Sequence, residues 1–206
     1  MLNTEFSPWP FFSVDEIDAV RKVLQSNKVN YWTGTECLKF EKEVANYCNT
    51  SYAVALSNGS VALELALRSL GVGPGDEVIV TPRTFVATVS SIILVGATPI
   101  FVDVERDSQN ISIESIEPAI THKTTAIICV HLAGWACEMD SIMELADSYG
   151  IFVIEDCAQA HGAKYKGRPV GSIGHIGTWS FCQDKIISTG GEGGMVTTND
   201  ENIWRN

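Results

Sequence analysis

Apolar residues along this chain fall into two alternating rhythms. Short unbroken runs suit buried strands, and stretches with apolar positions three or four apart suit amphipathic helices. Ser13-Val14-Asp15-Glu16 has capping-box spacing and opens a helix to about residue 25. A second helix is expected at about 36–47. Tyr52-Ala53-Val54-Ala55-Leu56 reads as a buried strand and Ser57-Asn58-Gly59-Ser60 as a tight turn. Residues 61–70 follow as a helix with Leu63, Leu67 and Leu70 on one face. A loop at 71–76 leads to a strand at 77–81, a helix at 84–95 to a strand at 99–104, and a short helix at 113–120 to a strand at 125–131. A helix at 139–149 precedes a strand at 151–157 that places Asp156 at its end. Short strands near 178–181 and 195–198 bracket the segment around Lys185, and Asn199-Asp200-Glu201 starts a further helix. This alternation predicts an α/β fold, three layers α/β/α around a mostly parallel sheet. No repeat, low-complexity tract or linker interrupts it.

Composition narrows the setting. The 206 residues are 45% hydrophobic and 19% charged, enough apolar content for a sizeable core. The formal net charge of -11, from 14 basic and 25 acidic residues, argues against a nucleic-acid or anionic-membrane surface, so any phosphate must be bound locally. No run approaches the roughly 18 apolar residues of a membrane span, and the first ten residues lack a signal-peptide pattern. A cytoplasmic location is expected. Six cysteines, Cys37, Cys48, Cys129, Cys137, Cys157 and Cys182, show no CxxC pairing and read as free thiols in a reducing compartment.

The chemistry concentrates in an ordered set. Lys185 follows Ser180-Phe181-Cys182-Gln183-Asp184, precedes Gly190-Gly191-Glu192-Gly193-Gly194, and lies downstream of Asp156-Cys157-Ala158-Gln159. Pyridoxal phosphate chemistry needs such a set: a lysine amine for a Schiff base, a carboxylate for the pyridine nitrogen, and hydroxyls and amides for the phosphate. Four glycines in five residues imply backbone passing close to something, which separates Lys185 from an ordinary surface lysine. Ser57-Asn58-Gly59-Ser60, between a strand and a helix, offers unpaired amides and a positive dipole end to a phosphate; taken alone it reads as an ordinary cap. Asp156 sits where parallel sheets bind ligands, with Gln159 three residues on as a donor to the ring's phenolic oxygen; strand-exit capping is the alternative for both. Ser180 is a candidate phosphate contact with Gly59 and Ser60, and Phe85 either stacks on the pyridine or packs in the core. His131 and His161 could face substrate or serve structurally. A metal role for His175 is disfavoured. Gly71-Val72-Gly73-Pro74-Gly75 lies between a helix and a strand, the reverse of a dinucleotide-binding turn, which disfavours a nicotinamide-dependent dehydrogenase.

Together these blocks resemble the sugar aminotransferases of the DegT/DnrJ/EryC1/StrS family. The match runs through Tyr31-Trp32-Thr33-Gly34, Ala53 to Ser60, Gly73 to Val80, Ile154 to Gly162, and Ser180 to Gly194. The resemblance implies the large domain of a fold-type I pyridoxal phosphate enzyme that aminates keto-sugar nucleotides with glutamate or glutamine, for cell-surface polysaccharide or secondary-metabolite synthesis. It assigns Lys185 and Asp156 to catalysis. Gly59, Ser60, Phe85, Asp156, Gln159, Ser180 and Lys185 fall to the cofactor, and no metal is implied. Members that dehydrate sugars carry histidine where Lys185 stands; cyclitol aminotransferases share the cofactor motifs. His175 departs from the aspartate common in the family and is expected to affect loop packing. The resemblance further implies that 1–206 is a cofactor-binding domain, with helices at about 13–47 and a core at about 51–199. A second, smaller domain and a homodimer with a shared active site are implied as well. The residues given would then amount to a cofactor-binding fragment with weak or no turnover of its own, and a non-catalytic pseudoenzyme stays open.

Overall fold

The apolar runs emerge as strands of one sheet in a computed structural model, which describes residues 8–206. The chain divides into two compact units, one reaching to Phe40 and the other Glu41–Asn206. In the first, α1 (Val14–Gln25) starts at the capping box: the Ser13 N–H donates to Glu16 Oε2 at 2.6 Å and the Glu16 N–H to Ser13 Oγ at 3.3 Å. Asn30 Oδ1 then accepts from the Trp32 and Thr33 amides at 3.1 and 3.0 Å, which folds the Tyr31–Gly34 motif into a side-chain-closed turn. Helix α2 (Glu36–Cys48) spans the division.

The second unit opens with β1 (Tyr52–Leu56), α3 (Gly59–Ser69), β2 (Glu77–Val80), α4 (Val86–Leu94) and β3 (Thr98–Phe101). It continues through α5 (Ile113–Ile116) with a 3₁₀ turn Glu117–Ala119, β4 (Thr124–Val130), α6 (Met139–Tyr149) and β5 (Phe152–Asp156). The hairpin β6 (Lys164–Tyr165) and β7 (Arg168–Pro169) precedes β8 (Ile176–Ser180), β9 (Gly194–Thr198) and α7 (Glu201–Arg205). The main sheet has seven strands in the order β1-β9-β8-β5-β4-β2-β3, and only β9 runs against the rest.

Strand side chains alternate faces, and each face found its own partner. Val78, Val80, Ala126, Ile128 and Ile154 pack with Leu63 and Leu67 of α3 and Ile92 of α4. Their neighbours Ile79, Ile127, Cys129 and Val153 pack with Ile116 of α5 and with Met139 and Ile142 of α6. Helices on both faces of a parallel sheet require strands that are apolar without interruption, which is the run pattern of the sequence. The expected three layers are therefore present. Among the described residues, no helix is long and apolar enough to cross a membrane.

Three expectations need correction, and one element was not expected. β1 is not a buried strand: all five residues are half-buried, because it forms the sheet edge and pairs only with β9. α4 begins at Val86, so Phe85 is its N-cap rather than an early helical residue. The expected helix at 113–120 divides into α5 and the 3₁₀ turn, whose second residue is Pro118, a residue without an N–H to donate. The β6–β7 hairpin was not anticipated. Its turn places Lys166 and Gly167 at φ 48° and 84°, the primed geometry that suits a two-residue hairpin. With two residues per strand, it carries no apolar alternation to read.

Candidate active site

The sheet delivers Asp156 to the carboxyl end of β5, level with Val130 of β4 and Thr178 of β8. There a cleft of about 340 Å³ opens, lined by the turn Asn58–Ser60, the start of α4, the ends of β4, β5 and β8, and the lysine loop. Gly59, Ser60, Phe85, Asp156, Gln159, Ser180 and Lys185 all line it. The predicted residues are thus brought together, although up to 126 positions separate them in sequence (185 − 59).

Each wall has a physical origin. At the start of α3, Asn58 Oδ1 accepts from the Val61 N–H at 2.9 Å and the Asn58 carbonyl from the Ala62 N–H at 3.1 Å. That leaves the Gly59 and Ser60 amides at the open, positive end of the helix. Gly59 backs directly onto Ser180: a Cβ there would lie 2.8 Å from the Ser180 Cβ. Gly194 passes beneath the same turn, where a Cβ would overlap the Asn58 carbonyl. The glycines thus permit β8 and β9 to lie against the helix start, so that the Ser180 hydroxyl joins the two amides. A phosphate fits such a wall.

Asp156 forms the opposite wall and is buried. Its Oδ2 accepts from the Thr88 hydroxyl at 2.8 Å and its Oδ1 from the Ala158 N–H at 3.1 Å. Burial pushes its carboxyl above the usual range, although the Thr88 and Ala158 donors and the nearby Lys185 charge pull the other way. A cation entering the cleft would reverse that balance. Gln159 Oε1 accepts from the Ala133 N–H at 3.0 Å, which turns its amide nitrogen into the available donor. The Lys185 side chain is only 21% exposed, with Nζ 3.6 Å from Asp184 Oδ2, so it is not a solvated surface lysine. Phe85 is 66% exposed on the rim, which removes core packing as its role.

The histidines fall elsewhere. His131 is fully buried and faces no cleft: Nδ1 accepts from the Cys137 N–H at 3.1 Å, so Nε2 carries the proton toward Glu155 Oε2 at 2.9 Å. His161 also misses the cleft lining, its ring between Trp179 and Phe181 at 5.4 and 5.5 Å and both nitrogens buried without a hydrogen-bond partner. Burial holds its pKa down at about 4. His175 Nδ1 accepts from the Val153 N–H at 3.0 Å and so caps the edge of β5, the packing role expected of it.

Sequence reading passed over Glu155 and the Thr84–Thr88 pair. Glu155 is fully buried and accepts from the Gly171, Ile173 and Gly174 amides at 2.8, 2.7 and 2.6 Å as well as from His131. Burial alone would raise its carboxyl, yet His131 and these amides hold it below its ordinary value of 4.5. A charged residue inside an apolar strand was the available signal. For the threonines it was their spacing of four, which puts both on one helix face.

The comparisons agree with this architecture. Residues 12–206 match the DegT/DnrJ/EryC1/StrS aminotransferase family. GDP-perosamine synthase of Escherichia coli O157:H7 is 48% identical over 195 residues, covering 95% of this chain and 53% of its own. An aminotransferase structure from Psychrobacter cryohalolentis superposes with a TM-score of 0.96 at 64% identity, covering 98% of this chain and 51% of that one. NtdA from Bacillus subtilis, solved with bound cofactor PMP, superposes with a TM-score of 0.87 at 32% identity, covering 98% and 48%. The chain spans about half the length of these relatives.

Glu155 yields a direct test. Because its folded-state pKa lies below 4.5, the carboxylate stabilises the fold fully above that value and loses its contribution as pH falls through the folded-state value. Glu155→Gln should cost about 3–5 kcal/mol near pH 7, since the amide NH2 that replaces one carboxylate oxygen would face two of the four donors. Denaturant unfolding from pH 7 to pH 3 should show the deficit narrowing below about 4.5; a constant deficit would contradict the assignment. The match over 195 residues and the superposed fold establish that this chain belongs to the DegT/DnrJ/EryC1/StrS aminotransferase family.

Proposed function

We propose that the full-length protein is a pyridoxal phosphate-dependent aminotransferase that converts a keto-sugar nucleotide into an amino-sugar nucleotide, with glutamate or glutamine as donor. The observation that carries the reading is the convergence of Lys185, Asp156 and the open amides of α3 on one cleft. The bound PMP of the NtdA structure and the name of the E. coli relative support cofactor and substrate class respectively.

The residues fit the cofactor by their own geometry. The wall made by Gly59, Ser60 and Ser180 suits its phosphate, and the buried Asp156 carboxylate, short of solvent and only partly compensated, suits a protonated ring nitrogen. When bound, pyridoxal phosphate supplies an aldehyde for amines and a ring that accepts electrons from a breaking C–H bond. Lys185 Nζ would hold the cofactor and, once freed by the amino donor, would serve as the base that holds and moves a proton at its own nitrogen. Asp156 would keep positive charge on the ring nitrogen. Gln159 Nε2 would donate to the phenolic oxygen, and Phe85 would cover one ring face.

The protein is read as a homodimer with a shared active site. Phe85 at the cleft rim, its neighbour Val86, Ile93 and Leu94 at the far end of α4, and Phe101 on the edge strand β3 are large, apolar and exposed, which marks an interaction surface. The product would enter cell-surface polysaccharide or secondary-metabolite synthesis. The free thiols of Cys48, Cys129, Cys137, Cys157 and Cys182 support a reducing, cytoplasmic setting.

Full-length protein supplied with pyridoxal phosphate should gain a visible absorption band that glutamate discharges. Lys185→Ala should abolish the band and lower transamination by at least about 10²-fold. Among keto-sugar nucleotides and keto-cyclitols, amination of a sugar nucleotide is expected; turnover of cyclitols alone would contradict the substrate class. In sedimentation the protein should run as a dimer, and a fully active monomer would overturn the shared site.

A further inference from the structure

Among the described residues Asp156 is the one buried carboxylate lining the cleft, and the side chain that donates to it comes from a different layer. Thr88 is fully buried on α4, with its hydroxyl 2.8 Å from Asp156 Oδ2; the Thr84 hydroxyl, one turn earlier and half-buried in the cleft lining, lies 2.7 Å from that of Thr88. The order of donors follows from chemistry. An ionised carboxylate can only accept, so Thr88 donates to Asp156, and the Thr88 oxygen is left to accept from Thr84. Both O–H dipoles then point at the negative charge. Protonation of Asp156 would reverse the chain, with the acid donating to Thr88 and Thr88 to Thr84.

We propose that the Thr84–Thr88 hydroxyl chain is a positioning device that keeps Asp156 ionised and aims it at the cleft. The inference rests on reading the cleft as a pyridoxal phosphate site, where the carboxylate must be charged to hold a protonated ring nitrogen. Burial works against that charge, and few groups oppose burial. The Ala158 N–H fixes Oδ1, leaving Oδ2 to Thr88. The titratable neighbours are His131 at the end of β4, Glu155 and Cys157 beside Asp156 in sequence, and Lys185 from its loop; α4 and β8 present no ionisable side chain. The Cys137 N–H on Nδ1 directs the His131 Nε2 proton to Glu155 rather than to Asp156, and Glu155 is held ionised. Thr88 is accordingly the donor whose removal leaves Asp156 most exposed to the cost of burial. Charge-assisted hydrogen bonds are the strong ones, and head-to-tail hydroxyls reinforce one another in a low-dielectric interior.

The test uses cofactor-free full-length protein, in which the Asp156 carboxyl band is followed by infrared difference spectroscopy across pH and assigned with Asp156→Asn. Thr88→Val should raise the Asp156 midpoint by about one pH unit, a tenfold weaker acid, and Thr88→Ser should restore it. Thr84→Val, at a half-buried position, should raise it by less. That variant keeps the proposal testable if Thr88→Val does not fold. An unchanged midpoint in either valine variant, or an equal shift in Thr88→Ser, overturns the proposal, whatever happens to thermal stability. The cofactor reading fails separately: a wild type that never gains a visible band with pyridoxal phosphate, while Thr88→Val still shifts the carboxyl, removes the cofactor and leaves the hydroxyl chain standing.

Discussion

Two acids stand side by side at the end of β5, buried between helical layers, and the site depends on how each is satisfied. Successive strand residues face opposite ways, so Glu155 points with Val153 toward the α6 side while Asp156 points with Ile154 toward α3 and α4. Burying one carboxylate is costly unless it is well paired, and burying two in succession demands two separate solutions. Glu155 receives a complete one: three amides of the 171–174 loop and the Nε2 proton of His131. Asp156 receives an incomplete one, with two donors and a cleft in front of it.

That asymmetry links fold to site. Glu155 holds the segment leading into β8 against β5, and β8 ends at Ser180, the hydroxyl on the phosphate-suited wall. Gly59 and Gly194 then allow the α3 start to close over that hydroxyl. The satisfied acid builds the scaffold on one face of the sheet. The unsatisfied acid, on the other face, awaits a cation. A structural acid and a functional one thus differ in their hydrogen-bond partners rather than in residue type.

Much of this was legible in the sequence, for identifiable reasons. The strands β2, β4 and β5 are buried on both faces, so their apolar runs were continuous and their ends well defined. Asp156 and Lys185 stood out because a polar residue at a strand end and a lysine beside a glycine cluster each break the local pattern. What stayed hidden depends on tertiary contact. Thr88 reads as an ordinary helix residue until β5 is placed against α4, and His131 reads as either facing substrate or structural until the Cys137 amide is seen on its Nδ1. β1 looked buried because Tyr52 to Leu56 is apolar throughout, whereas its place at the sheet edge follows from the pairing of β9, which no local signal encodes.

The central claim is that the amine at the mouth of this cleft, and no other, carries the cofactor opposite Asp156. Borohydride reduction of the full-length protein equilibrated with pyridoxal phosphate, followed by peptide mass spectrometry, addresses it directly. The account predicts one phosphopyridoxyl group per chain, on the peptide containing Lys185. Labelling spread over exposed lysines such as Lys39 and Lys166, with the Lys185 peptide unmodified, would contradict it.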